Sequence, residues 1–108
     1  MFEYACRVTR VIDGDTAELI IDLGFRLGYT AKVRLAGIQA PELKTGEPGA
    51  KSKAMLADWL LDKPGVTVTT SKGKEFEKYG RVLGTFMVNG MNVNQRMVTD
   101  GYAVESVG

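Results

Sequence analysis

Three short segments carry side chains that could do chemistry together: Ile12-Asp13-Gly14-Asp15-Thr16, the run from Val33 to Glu42, and Lys78-Tyr79-Gly80-Arg81. They offer carboxylates for a hard cation and two arginines for a phosphate. A phosphodiester is anionic, and its displacement gathers further charge on the phosphoryl oxygens. Catalysis is then mostly charge stabilisation and positioning. A planar guanidinium can hold two such oxygens at once, which a lysine cannot. Arg34 and Arg81 come from distant segments and could grip one phosphate from two sides. A divalent cation would polarise the same oxygens and support a water nucleophile.

What the chain lacks narrows the chemistry further. It has no histidine and one cysteine, Cys6. This removes Ser-His-Asp triads, Cys-His pairs and zinc sites built on imidazole or thiolate. A catalytic metal must sit among oxygens, which points to calcium, magnesium or manganese. Glu42 is then the best candidate base in the set. The 108 residues suffice for one domain, and 44% apolar with 25% charged residues is ordinary for a globular chain. The net charge of +1 gives no global basic field, so anion binding must come from local clusters. No apolar run approaches the ~20 residues of a spanning helix, and the N-terminus lacks a secretory pattern. A cytoplasmic protein without membrane contact is expected. Cys6 cannot form an internal disulfide and reads as a packing residue.

Each segment lies at the edge of an apolar, β-rich run, where the end of a rigid strand can aim a side chain. Residues 4–12 read as a strand, and Asp13-Gly14-Asp15 as a turn. Ala17, Leu19, Ile21 and Leu23 alternate against Glu18, Ile20 and Asp22, a half-buried second strand. Residues 24–28 form a hairpin loop. A third strand sets Ala31, Val33 and Leu35 inward and Lys32 and Arg34 outward. Residues 39–49 carry two prolines and two glycines and read as a loop. A helix follows over about 50–62, with Ala50, Ala54, Ala57, Leu60 and Leu61 on its apolar arc. Lys63-Pro64-Gly65 ends it, and Trp59 beside the arc reads as core. Residues 66–70 and 82–88 are the fourth and fifth strands, with a charged loop over 72–80 between them. A second helix begins at Asn92, capped through Gln95, with Val93, Met97 and Val98 toward the core and Gly101 as its stop. Three strands, a helix and two strands is the order of an OB-fold, a mainly β, five-stranded barrel with a helix plugging one end.

These segments, with Val93-Asn94-Gln95 and Gly101, resemble the staphylococcal nuclease (thermonuclease)-like family in order and spacing from about Val8 to Ala103. The resemblance implies an OB-fold and calcium-dependent hydrolysis of phosphodiesters in DNA and RNA. It implies that Asp15 and the carbonyl of Ala40 bind the metal, and that Glu42 positions or deprotonates the attacking water. It implies that Arg34 and Arg81 hold the phosphate and that Lys78 and Tyr79 contact the nucleotide.

Two positions depart from the family's pattern. The second metal carboxylate is an aspartate in the family, and here it is Gln39. An amide oxygen can coordinate a hard cation but brings no charge. One unit charge at close range is worth roughly 4 kcal/mol at an effective dielectric of 20. After desolvation, the expected net loss is on the order of 1–3 kcal/mol, about ten- to more than a hundredfold in metal affinity. Calcium should therefore bind weakly, with magnesium or manganese as substitutes. The family's third helix has no counterpart before Gly108, and the side it leaves open is expected to favour self-association or a partner.

Plainer readings exist for each segment. Asp13-Gly14-Asp15 would serve as a simple turn, Arg34 as a solvated charge, Pro41-Glu42 as a loop start, and residues 72–79 as a solvated loop. Two function classes follow: a metal-dependent nuclease weakened at Gln39, and a non-catalytic nucleic-acid-binding or protein-interaction module on the same fold.

Overall fold

The computed structural model describes residues 2–70 and 82–106. Its frame is a closed five-stranded barrel. Strands β1 (Phe2–Asp13), β2 (Thr16–Gly24) and β3 (Leu27–Leu35) form an antiparallel meander. The N-terminal part of β1 also pairs with β5 (Val66–Thr70), and β5 pairs with β6 (Val82–Val88). A short parallel pairing of β3 with β6, Val33 to Val82 through Leu35 to Gly84, closes the ring. The two register shifts along β1, between Val8 and Arg10 and between Val11 and Asp13, bend that strand so that one strand serves both halves. This is the OB-fold expected from the element order.

The alternating patterns of β2, β3, β5 and β6 fill the interior, and β1 adds Val8 and Val11 from either side of a register shift. Val8, Leu19, Val33, Leu35, Val68 and Phe86 are fully buried. Gly84 marks where the barrel closes most tightly: a Cβ there would lie 2.8 Å from Val68 Cγ2 and 2.9 Å from Val33 Cγ1. Cys6 packs against the core, as expected for a packing residue. Burial pushes its thiol up to about 11, so it stays protonated at neutral pH.

Helix α1 (Glu47–Leu60) begins earlier than the apolar spacing implied, because Pro48 in its first turn favours helix entry. Its buried face also differs. Gly49, Ser52, Leu56 and Leu60 face inward, while Ala50 and Ala54 are exposed and Leu61 leaves the helix to bridge Val8. Alanine is nearly indifferent to burial and misled the arc. Ser52 can be buried because its hydroxyl donates to the carbonyl of Tyr102. Helix α2 (Val93–Thr99) starts as expected, with Gln95 N–H donating to Asn92 Oδ1 at 3.0 Å. The segment expected to be only a loop contains strand β4 (Ile38–Gln39) and a 3-10 turn, Leu43–Thr45. Two further short strands, β7 (Met91–Asn92) and β8 (Val104–Glu105), pair with β6 and β4 respectively. No helix among the described residues is long and apolar enough to cross a membrane.

Candidate active site

The β1–β2 turn is more than a reversal of chain direction. A Cβ on Gly14 would lie 2.6 Å from the Cβ atoms of both Ala40 and Ser52. Only glycine lets the turn press onto α1 and onto the segment after β4. Asp13 braces the turn from inside, its Oδ1 accepting the Asp15 N–H at 3.1 Å. Asp15 is thereby aimed inward and is only 8% exposed.

Both oxygens of the Asp15 carboxylate have partners. Oδ1 accepts the Thr16 hydroxyl at 3.2 Å, and Oδ2 accepts the Ala40 N–H at 2.9 Å. Arg34 Nη2 stands 3.5 Å from Oδ2. The guanidinium is held on its other side as well, with Nη1 donating to the carbonyls of Leu35 at 3.1 Å and Ile38 at 3.0 Å. A buried ion pair costs desolvation that only extra hydrogen bonds offset, and both partners here have them. Arg34, read as an outward charge on β3, is in fact half-buried and curled over the strand's end.

Behind Arg34 stands a residue whose role the sequence did not reveal. Asn94 in α2 is buried, with Oδ1 accepting the Phe86 N–H at 3.1 Å and Nδ2 donating to the carbonyls of Ala36 and Gly84 at 3.0 Å each. It ties the β3–β4 turn to β6 at Ala36, which lies in the chain between the Leu35 and Ile38 carbonyls on which Arg34 rests. The available signal was a polar residue inside the buried stripe of Val93 and Met97.

Gln39 and Glu42 sit differently. Gln39 is exposed on β4, beside a shallow cleft lined by Ala40, Pro41 and Tyr102. Ala40 is buried and linked to Asp15 through its N–H. Glu42 is exposed and pairs with Lys44, Oε2 to Nζ at 3.1 Å. Its backbone is better fixed than its side chain: its carbonyl accepts from Thr45 N–H, and a Cβ on Gly49 would strike that same oxygen. Lys78, Tyr79 and Arg81 lie outside the described residues.

The donors gathered here are oxygens, which suits a hard cation. Among the described residues, no three acidic, histidine or cysteine side chains converge on one point. Asp13 and Asp15 bring two carboxyls together. Burial raises the Asp13 pKa above its ordinary value, and the adjacent Asp15 raises it further. Charge for a cation is thus present but small in amount. A cation held here would draw its remaining coordination from neutral oxygens, water or substrate phosphate, a mode common for magnesium.

The family model of staphylococcal nuclease homologues matches residues 32–107. The chain belongs to this family. An endonuclease of Escherichia coli, named only as uncharacterized, is 40% identical over 98 residues, covering 90% of this chain and 58% of that protein. Endonuclease YhcR of Bacillus subtilis (strain 168) is 35% identical over 111 residues, covering 94% of this chain and 9% of that protein. Protein ParB of Escherichia coli is 33% identical over 105 residues, covering 89% of this chain and 54% of its own length. The chain therefore spans little more than half of the first of these relatives.

Proposed function

We propose that the protein is a metal-dependent nuclease that hydrolyses phosphodiester bonds in DNA or RNA. The observation that carries this reading is the Asp15–Arg34 pair: opposite charges, 3.5 Å apart, held at the barrel rim by backbone groups and an invading turn. Kinship with proteins named endonucleases supports the same reading.

Arg34 holds a phosphoryl oxygen of the substrate by turning from Asp15 or by sharing its unused N–H groups. Its two carbonyl contacts keep the guanidinium plane at the rim while this happens. Arg81 supplies the second guanidinium, and Lys78 and Tyr79 contact the nucleotide. Glu42, exposed and placed on a fixed backbone, takes the proton of the attacking water. Asp15, the Gln39 amide oxygen and the Ala40 carbonyl hold the divalent cation, calcium first, with magnesium or manganese as substitutes. When bound, the cation supplies charge to the phosphoryl oxygens and support for the nucleophilic water. Because Gln39 is neutral, this binding is weak and strengthens when substrate phosphate joins it.

Incubating the protein with DNA and with RNA at millimolar calcium, magnesium or manganese tests the reading. Cleavage abolished by a chelator is the expected result. Absence of cleavage at every metal concentration would overturn it. A second reading, a non-catalytic nucleic-acid-binding or protein-interaction module, is favoured by the neutral Gln39 and the lack of a three-acid group among the described residues. It predicts oligonucleotide binding that weakens with salt and no cleavage.

A further inference from the structure

The β2–β3 hairpin reaches away from the rim and ends in an unusual turn. Phe25 and Arg26 both occupy the left-handed region, at φ 55° and 63°. Such a turn ordinarily uses Asn-Gly, and a bulky residue there is disfavoured. Phe25 is 98% exposed, so packing does not explain it. Asp22 is committed to the turn itself, its Oδ1 accepting the Gly24 N–H at 2.8 Å.

Strand β3 leads directly from this tip to the rim. Its sequence, from Leu27 to Leu35, contains Lys32 and Arg34 and no acid. Lys32 and Arg34 alternate onto the same side of the strand. In the register, Arg10, Glu18 and Lys32 lie side by side across three strands, so the one acid there is flanked by two cations. Arg26, Lys32 and Arg10 have no ion-pair partner among the described residues. Set against Glu18 and Asp22, the three cations leave the hairpin and the strand beside it one positive charge in excess. Two copies of this edge would set like charges together, which opposes self-pairing and suits a polyanion.

We propose that the hairpin is a second contact for single-stranded nucleic acid, with Phe25 stacking on a base and Arg26 and Lys32 on phosphates of the strand whose scissile phosphate lies at Arg34. This deepens the nuclease reading and rests on it. Phe25 and Arg34 are nine positions apart, so the path runs for up to about 30 Å. A stacked strand advances about 3.4 Å per nucleotide, so roughly nine nucleotides reach from rim to tip. A dinucleotide at the rim does not.

The test is fluorescence anisotropy with a labelled oligothymidylate of about 16 nucleotides, in chelator, on the wild-type chain, on Phe25→Ala and on the Arg26→Ala/Lys32→Ala double variant. The side chains are exposed, and circular dichroism checks that each variant folds. Phe25→Ala should weaken binding about ten- to a hundredfold. The double variant should lower the slope of log affinity against log salt by about one to two. A dinucleotide competitor should bind all three alike. Wild-type binding with unchanged affinity in both variants would overturn the hairpin contact and leave the nuclease reading standing. A hairpin variant that dissociates a dimer in sedimentation while keeping its oligonucleotide affinity would also overturn it, assigning the tip to a second copy. No binding by the wild type in chelator would overturn the hairpin contact, and cleavage with metal present decides the nuclease reading separately.

Discussion

The two halves of the candidate site are built in opposite ways. Asp15 is buried and Arg34 half-buried at strand ends, and each answers the other's charge and is held by further hydrogen bonds. Gln39 and Glu42 are exposed, and among the described residues the Glu42 carboxylate meets only Lys44, in a surface pair. Such surface pairs contribute about 0–1 kcal/mol and are easily exchanged. On the proposed function, the rim is preorganised before substrate arrives, while the acid and the amide would be oriented by what binds. Preorganised charge is the part of catalysis that costs no rearrangement in the transition state.

Removing a member of each half should separate them. Arg34→Ala should lower kcat/KM by about a hundred- to a thousandfold, or about 3–4 kcal/mol, and also lower stability, because Asp15 keeps its burial and loses its counterion. Glu42→Gln should lower kcat as well but leave the melting temperature within about a degree or two, since its side chain is solvated. Paired cleavage assays and thermal melts check this. Equal loss of stability in both variants would mean that the two halves are not built differently.

Asn94→Ala should break the fixed half from behind. It removes three hydrogen bonds, and leaves the Phe86 N–H and the Ala36 carbonyl without their side-chain partner. A stability loss of about 2–4 kcal/mol in urea unfolding is expected. Asn94→Asp should fare no better, because an oxygen would then face the two carbonyls that now accept from Nδ2. Either variant should raise KM through a loosened Arg34, even at temperatures where the protein stays folded.

The barrel was legible in the sequence because the later strands alternate, the first is rich in β-branched residues, and the turns between them carry glycine, aspartate or asparagine. Asp15, Arg34 and Glu42 were legible as residue types at strand edges. That Asp15 and Arg34 meet was not legible from spacing, since it depends on β2 and β3 pairing in a register that sets Thr16 opposite Arg34. The buried face of α1 was misread because a serine occupies the core position that an alanine pattern seemed to claim. Asn94 stood in plain view, but its partner Ala36 is 58 positions away. Long-range hydrogen bonds leave no local periodicity to read.

Gln39→Asp probes the adaptable half. Restoring a carboxylate should tighten calcium binding by about ten- to a hundredfold, roughly 1–3 kcal/mol, read by calorimetry. Because Gln39 is exposed, the folded stability without metal should barely change. Unaltered calcium affinity would mean that position 39 does not face the cation.

The smallest effect concerns Asp13, where the fixed rim carries a cost of its own. Its carboxyl is partly desolvated and lies beside Asp15, and both causes raise its pKa. An acid whose folded pKa is raised contributes stability that is fully present below its unfolded pKa, about 3.9, and lost as pH rises through the folded value. Asp13→Asn keeps an oxygen to accept the Asp15 N–H and removes the charge. It should therefore raise the melting temperature slightly near pH 7 in chelator, and the gain should vanish as pH falls toward the ordinary carboxylate range. Added calcium should erase the gain at neutral pH, because a cation at Asp15 relieves the same repulsion. A gain that ignores both pH and calcium would show that Asp13 shapes the turn without sharing in the charge of the rim.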